Sequence, residues 1–378
     1  MGLKILHVAS CMPKWGGIEK HILDIAPIQK RSGHQVTIGC QPGSEVERRA
    51  REAGLATVPL VIRKRQDWAQ FPHFSRALKA RYDIVHVHHP VDYIVPASAA
   101  RWERVPAVVM SRHHPNTFRS RVVAYLCSEV FYDGIIAVSD FIRGMLIADH
   151  VSAKRIVVVR NGIDIEPWQH SADSRVREEF GIASSAFVVA AAGRFIREKG
   201  LDVLVRAVAA ARRAGADVTC IIAGDGDGRP QMEQLIRELD LAAHVHLLGF
   251  RRDMPAVFGA ADVVVVPSVS LESFSYTTLE GLASSRPVIG SRIGGIPELI
   301  TEEVGRLTTP KDVDALAAAI VELAGDPEKR ATMGQKALLR AQNFTLDACV
   351  AGIDKVYEQL LQKRLNVASA ASRASTTS

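Results

Sequence analysis

At 378 residues the chain has room for two domains and is too long for a single comfortable α/β core. Its 47% hydrophobic and 23% charged content is that of a soluble globular protein, no apolar run approaches the ~18 residues of a membrane span, and five scattered cysteines, Cys11, Cys40, Cys127, Cys220 and Cys349, without a C-x-x-C indicate neither a disulfide framework nor a zinc site. The net charge of +6 is uneven: residues 1–170 carry 23 Lys and Arg against 15 Asp and Glu, the remainder 24 against 26. A basic first half suits phosphorylated glycans, anionic lipid or nucleic acid, and charge alone does not choose among them.

In chain order, Leu3 to Ala9 reads as a buried strand that begins without a basic-then-apolar leader, and a cytoplasmic location is expected. Trp15-Gly16-Gly17-Ile18-Glu19 then opens a helix whose apolar residues recur at Ile22, Ile25, Ala26 and Ile28, with Pro27 expected to kink it. The two glycines are either a tight turn only or an anion site, where backbone N–H groups approach a ligand closely and the helix dipole lies behind them. Neither GxGxxG nor a Walker A lysine is present, so neither NAD binding nor ATP hydrolysis is supported.

Strands follow at Gln35 to Cys40, Val58 to Ile62, Ile84 to Val87, Ala107 to Met110, Gly134 to Val138 and Ile156 to Val159, with helices between. That alternation implies a doubly wound parallel sheet. Residues 63–81 interleave cations with Trp68, Phe71 and Phe74. They are either a solvated loop and helix with aromatics turned to the core, or a surface that docks on anionic inner-membrane lipid or a charged acceptor. His86, His88, His89, His113 and His114 gather at strand carboxyl ends, which line the ligand crevice of an open α/β sheet. With no carboxylate or cysteine at a ligand-like offset, no metal is expected there.

Arg160-Asn161-Gly162-Ile163-Asp164, followed by Pro167, is a turn signal and the expected linker. A second cycle of strands runs Phe187 to Ala192, Val218 to Ala223, Val245 to Leu248, Val263 to Val266 and Pro287 to Gly290. After the first of these, Gly193-Arg194-Phe195-Ile196-Arg197-Glu198-Lys199-Gly200 is either a charged surface loop or a phosphate cradle built on cations. Asp225-Gly226-Asp227 has the form of a DxD metal site, but its glycine-rich setting reads as a strand-to-helix turn. Glu272 and Glu280 bracket the start of a helix with apolar residues at Tyr276, Leu279, Leu282 and Ala283. Even fully helical, eight residues span about 12 Å, whereas two carboxylates flanking one bond in a retaining glycosidase stand roughly 5 Å apart. The spacing better suits two parts of one elongated ligand whose anionic middle sits on the helix N-terminus. Amphipathic helices are expected over 312–324 and 327–341, then a long helix over Leu346 to Leu361.

These pieces, in this order, resemble the family 4 retaining glycosyltransferases of the GT-B fold. The matching residues are Gly16-Gly17-x-Glu19, Gly33-His34-x-Val36-Thr37, His113, Asn161-Gly162-Ile163-Asp164, Gly193-Arg194 with Glu198-Lys199-Gly200, Gly224-Asp225-Gly226, Glu272-x7-Glu280, Pro287-Val288 and Gly294-Gly295-x-Pro297-Glu298. The resemblance implies an α/β architecture of two Rossmann-like domains facing across a cleft: 1–163 for the acceptor, 164–345 for the nucleotide sugar, a helix 346–364 crossing back to the first domain, and a disordered tail 365–378. It implies transfer of a hexosyl unit from a nucleotide-diphosphate sugar to a hydroxyl of a glycan or lipid-linked acceptor, in lipopolysaccharide or surface-polysaccharide synthesis, at the inner face of the cytoplasmic membrane. No cofactor, metal or nucleic acid is implied. The rival readings are an epimerase or phosphorylase of the same fold and a non-catalytic nucleotide-sugar-binding subunit.

Carried over residue by residue, Arg194 and Lys199 hold the donor diphosphate, with the backbone N–H groups of Phe274, Ser275 and Tyr276 sharing that anion. Glu280 accepts from the ribose and Glu272 from the transferred sugar. Gly16 and Gly17 close on the phosphates, and His113 contacts the sugar or its acceptor. The chain departs from the family where it writes Glu272-Ser273-Phe274-Ser275 for E-G-F-G and Ser285 for a glycine before P-V. Serine makes a left-handed φ at those positions less expected.

Overall fold

The structure, a computed structural model, describes residues 2–9, 16–61, 67–89, 93–118, 120–169 and 175–375. Cys11, Trp15 and the cations at 63–65 lie outside the described residues. The chain divides into two compact units, Met1–Gly162 with Leu346–Ser378, and Ile163–Thr345.

In the first unit, strands β1 (Lys4–Val8), β2 (Gln35–Cys40), β3 (Ala56–Pro59), β4 (Ile84–Val87), β5 (Ala107–Arg112), β6 (Gly134–Ala137) and β7 (Ile156–Val158) form one parallel sheet in the order β3-β2-β1-β4-β5-β6-β7. Runs such as IVHV and GIIA are buried throughout, as expected of strands covered on both faces by helices. The third strand lies earlier than Val58 to Ile62 because its ladder runs from Thr37 opposite Ala56 to Cys40 opposite Pro59. The helix Gly17–Arg31 runs unbroken through Pro27. In the stretch 63–81, Phe74 is turned into the core at 1% exposure, whereas Trp68 is half exposed and meets Phe71, which in turn meets the exposed Trp102.

The last helix, Leu346–Ser375, belongs to this unit. Cys349, Val350, Ile353, Val356 and Tyr357 form its buried stripe and join the core of Ile22, Ile25, Ile84 and Val109, at the spacing of one helix face. It continues well past residue 364, correcting the expected disorder of the tail up to Ser375. Once a helix is nucleated by packing, each further residue adds a hydrogen bond, and the alanine-rich sequence after Asn366 propagates it readily. No described helix is long and apolar enough to cross a membrane.

The second unit holds β8 (Phe187–Ala192), β9 (Val218–Ala223), β10 (Val245–Gly249), β11 (Val263–Val266), β12 (Val288–Ser291) and β13 (Gly305–Thr308), parallel and ordered β10-β9-β8-β11-β12-β13. The edge strand β13, with sequence GRLT, is absent from the sequence expectation because one apolar side chain gives no periodicity to read. The DxD-like segment is a turn: Gly224 has φ +136 and a Cβ there would stand 1.9 Å from the Gly193 carbonyl oxygen, while the Asp225 carbonyl accepts from Phe195 N at 3.0 Å. It buttresses the loop after β8.

Ser285 corrects one expectation. Its φ is +56, left-handed in spite of its Cβ. It follows the C-cap of the helix Tyr276–Ala283, where Ser285 N donates to Leu282 O and Arg286 N donates to Gly281 O, both at 3.1 Å. That paired closure of the last carbonyls requires the left-handed residue, and the two hydrogen bonds offset the strain. Replacing Ser285 by Gly should therefore stabilise the protein by about 0.5–1 kcal/mol, the left-handed strain relieved less the added freedom of the unfolded chain. Urea unfolding monitored by circular dichroism reads this as a raised midpoint; a lowered one would show that the serine hydroxyl contributes more than the strain costs.

Candidate active site

The order of each sheet reverses once, between β8 and β11 in the second unit and between β1 and β4 in the first. Loops leaving the carboxyl ends of those strand pairs diverge, and the crevice between them is where open α/β sheets bind ligands. Arg194, Lys199 and Glu272 lie on such loops, Gly16 and Gly17 follow β1, and His113 follows the next strand over, β5.

In the second unit the loop after β8 carries Arg194 and Lys199, and the loop after β11 carries Ser268 and Glu272. Gly200 pins them to each other, and Gly294 of the loop after β12 pins the second. Val269 N donates to Glu198 O at 3.0 Å. Gly200, at φ +63, has no room for a Cβ, which would stand 2.1 Å from the Pro267 carbonyl oxygen. Gly294, at φ +59, likewise leaves only 2.1 Å to the Glu272 carbonyl oxygen, which accepts from Gly295 N at 2.7 Å. The backbone of Glu272 is thus fixed against Gly294, and the start of its loop against Gly200, at positions only glycine fills.

Its side chain is fixed as well. Lys199 Nζ donates to Glu272 Oε1 at 2.6 Å and Ser268 Oγ donates to the same oxygen at 2.9 Å. Lys199 and Glu272, assigned separately to phosphate and sugar, are one ion pair here, with side chains 29% and 18% exposed. Arg194 is exposed and has no ion-pair partner among the described residues. The helix Tyr276–Ala283 begins beside them, capped by Ser275 Oγ, which accepts from Thr278 N at 3.2 Å. Ser275 has φ −90, so here serine replaces the family glycine without strain. Phe274 is buried against Phe344, and the buried hydroxyl of Ser273 has no hydrogen-bond partner among the described residues. Residues 272–275 are not helical, so the spacing from Glu272 to the half-buried Glu280 is not a helical rise.

In the first unit the expected His113 is one of a cluster. Parallel register sets His7 of β1 beside His86 of β4. His7 Nδ1 lies 2.9 Å from His88 Nε2, and His88 Nδ1 lies 3.2 Å from His113 Nε2. The His21 ring stands 4.9 Å from that of His113. His7 Nε2 meets Gln29 Oε1 at 2.7 Å, and His86 bridges Tyr357 and Ser111 at 2.6 and 2.8 Å. His7, His21, His86 and His88 are almost wholly buried. Burial, the largest cause, lowers His7 to about 4 and His21 to about 3, and holds His86, His88 and His113 well below the usual imidazole value. These rings are neutral at pH 7.

Two trios, His7 with His86 and His88, and His21 with His88 and His113, bring ring nitrogens within 4.8 Å of one another, close enough for a cation. In both, however, a nitrogen pair is already joined, His7 to His88 or His88 to His113.

Gly16 caps the helix Gly17–Arg31 with φ −151, ordinary extended backbone. The anion nearest that helix start is the protein's own. Glu19 is 6% exposed, burial raises its carboxyl pKa, and backbone hydrogen bonds at Gly16 and Glu19 oppose the rise.

Sequence reasoning missed His7, His21, Gln29, Ser268 and Tyr357. His7 lies inside a strand, and His21 and Gln29 share the buried face of a helix with Ile18, Ile22 and Ile25. A polar residue recurring in register with isoleucines was the available signal.

Comparison with known proteins agrees with these two regions. Residues 173–340 match the family model described as glycosyl transferases group 1, and residues 15–167 match that described as glycosyltransferase family 4. The D-inositol 3-phosphate glycosyltransferase of Corynebacterium glutamicum is 31% identical over 317 residues, which span 76% of this chain and 75% of that protein. An MMP alpha-(1->4)-mannosyltransferase of Mycolicibacterium hassiacum is 30% identical over 73% of this chain and 65% of its own. Among solved structures, HepE of Anabaena in complex with UDP-glucose aligns with a TM-score of 0.83 at 25% identity, covering 94% of this chain and all of that one.

The neutral histidines carry a consequence for acid stability. An unfolded chain takes up protons near pH 6.5 that His7 and His21 refuse until about 4 and 3. The stability contributed by their neutral burial is therefore complete above pH ~6.5 and is lost as the pH falls toward those values. Unfolding of the first unit followed from pH 7.5 to 5 should show a loss of about 2 kcal/mol at pH 5 for each ring that stays neutral. A flat profile over that range would contradict the neutral cluster.

Proposed function

The chain belongs to the glycosyl transferases of group 1, and from that membership we propose that it transfers a hexosyl unit, with retention at the anomeric carbon, from a nucleoside-diphosphate sugar to a hydroxyl of a glycan or lipid-linked acceptor in surface-polysaccharide or lipopolysaccharide synthesis. The observation that carries the reading is the junction of Lys199, Glu272 and Ser268 at the reversal between β8 and β11. There a cation and a carboxylate meet at one point, as the two sides of a sugar–phosphate bond require.

On this reading Lys199 exchanges Glu272 for a phosphate oxygen when the donor enters. Partly exposed ion pairs are worth only about 0–1 kcal/mol, so the exchange costs little. Glu272, freed but still fixed by Ser268 and its backbone, then accepts from the sugar hydroxyls. Arg194 and the N–H groups at Phe274 and Ser275 face the same anion, whose growing charge they stabilise as it departs. Glu280 accepts from the ribose.

Retention proceeds at the front face. The bond from the anomeric carbon to the phosphate oxygen breaks, the acceptor oxygen bonds to that carbon from the same side, and the departing phosphate oxygen takes the acceptor proton. Glu272, held by a lysine and a serine, serves as a sugar ligand rather than as the nucleophile. The first unit supplies Gly16, Gly17 and His113, the last touching the sugar or its acceptor. Exposed Trp68 and Trp102 with Phe71 between them favour contact of this unit with a membrane interface. The HepE complex favours uridine as the base.

Two measurements test this. In a thermal-stability panel of UDP, GDP and ADP, UDP at ~100 times its dissociation constant should stabilise the chain by about 2.7 kcal/mol, with the others weaker; equal response to all three would remove the base assignment. In turnover with the matching sugar nucleotide, the product anomer should be that of the donor, EDTA should leave the rate unchanged, and Lys199→Ala should lower kcat by roughly 10²–10³ without changing the circular dichroism spectrum. An inverted product, or a Lys199→Ala enzyme of normal rate, overturns the mechanism.

A further inference from the structure

We infer that Asp354 on the C-terminal helix, acting through Gln29, fixes which nitrogen of His113 carries the proton, along a one-way chain of hydrogen bonds through the core of the first unit. The inference rests on the reading of His113 as the residue that touches sugar or acceptor, and it names Asp354 and Gln29 as positioning residues for it.

The direction of the chain follows from what each group is able to donate. A carboxylate only accepts, and an amide donates from nitrogen and accepts at oxygen. Asp354 Oδ1 lies 2.8 Å from Gln29 Nε2, so the amide must turn its nitrogen to the carboxylate and its oxygen to His7. His34 confirms the polarity of Asp354 from the other side. Its Nδ1 accepts from Leu3 N at 3.1 Å, which leaves the proton on Nε2, 3.4 Å from Asp354 Oδ2.

The rest is forced. Gln29 Oε1 accepts, so His7 carries its proton on Nε2. A neutral imidazole has one N–H, and the hydrogen bond made by one nitrogen decides the role of the other. His7 Nδ1 therefore accepts from His88 Nε2–H at 2.9 Å, and His88 Nδ1 accepts from His113 Nε2–H at 3.2 Å. His113 is left with a lone pair on Nδ1. Beside this chain the C-terminal helix also brings Tyr357 to His86. His86 has a hydroxyl at each ring nitrogen, Tyr357 at Nδ1 and Ser111 at Nε2, and a hydroxyl serves either tautomer. Every ring nitrogen from His7 Nε2 to His113 Nε2 has one role that satisfies it. Reversal of the amide would set its oxygen against the Asp354 carboxylate, two acceptors at hydrogen-bond distance.

The burial pattern fits a relay with two accessible ends. Gln29, His7 and His88 are 0% exposed, whereas Asp354 and His113 are partly exposed. The rings stay neutral at pH 7, so tautomers and not charges distinguish the states of the chain. The consequence for chemistry is that His113 presents an acceptor on its Nδ1 side. It receives a hydrogen bond from a hydroxyl of sugar or acceptor and offers none to it.

Long-range ¹H–¹⁵N correlation spectra of the full chain labelled at histidine read this directly at pH 7.5. The expected result is a single tautomer, protonated at Nε2, for His7, His88 and His113. Gln29→Leu, or Asp354→Ala where the buried substitution prevents folding, should abolish that single state, the two ring-nitrogen shifts of His113 moving toward each other. Three results would overturn the inference: an Nδ1–H tautomer at His113 in the wild type, a His88 protonated on Nδ1 rather than Nε2, or a His113 pattern unchanged in both variants. Turnover of His113→Ala separates the two readings. A normal rate beside the expected spectra removes the role of His113 and leaves the relay, whereas wrong spectra remove the relay whatever the rate.

Discussion

Polar groups crowded into the reversal of a parallel sheet have to be satisfied without water, and this requirement organises both units. Strands that wind outward in opposite directions leave a gap at their shared carboxyl ends, and the first residues of their loops are buried there although many are polar. In the first unit the adjacent registers of β1 and β4 place His7 against His86, and His88 follows directly. Each imidazole in a closed interior needs both a donor and an acceptor at fixed places. The chain meets this need by ending on a helix that returns to the first unit, where Tyr357 bonds to His86 and Asp354 bonds to Gln29. A helix that packs on apolar residues alone would leave those groups orphaned.

The second unit meets the same requirement with charge. Glu272 accepts from Lys199 and Ser268, its backbone is held by Gly294 and Gly295, and the start of its loop packs on Gly200. The difference suits the chemistry proposed for each unit. Around a departing diphosphate, fixed cations and unpaired N–H groups lower the energy of the developing charge. Beside a neutral hydroxyl, a neutral ring of defined tautomer gives direction without a charge that would attract the wrong anion, and Glu19 is buried at the start of the helix Gly17–Arg31.

Two serines that replace family glycines show how a local rule gives way to its setting. Ser275 is an N-cap with ordinary φ, where serine is as good as glycine or better. Ser285 sits where the helix closes its last carbonyls and takes the left-handed conformation regardless. The same substitution is relaxed in one place and strained in the other because the two ends of a helix leave opposite groups to satisfy.

The sheets were legible in the sequence because β-branched runs of four to six residues between turn signals have few other solutions, and the loops after Ala192 and Val266 announced themselves by cations, glycines and acids on otherwise apolar surroundings. The edge strand at 305–308 was not, having no pattern to read, and the helix past residue 364 was hidden by a composition that suits coil and helix alike. By itself the sequence determined two doubly wound units, the loops that carry Arg194, Lys199, Glu272 and His113, and the family. Only the tertiary structure decided that Lys199 and Glu272 are one ion pair, that Glu19 fills its own helix start, and that His113 ends a chain running to Asp354, because each depends on registers and packings that join residues as distant as Lys199 and Glu272 or Gln29 and Asp354 or turn a short-range neighbour inward. Periodicity shows which residues are buried; it is silent on which polar atoms meet once they are.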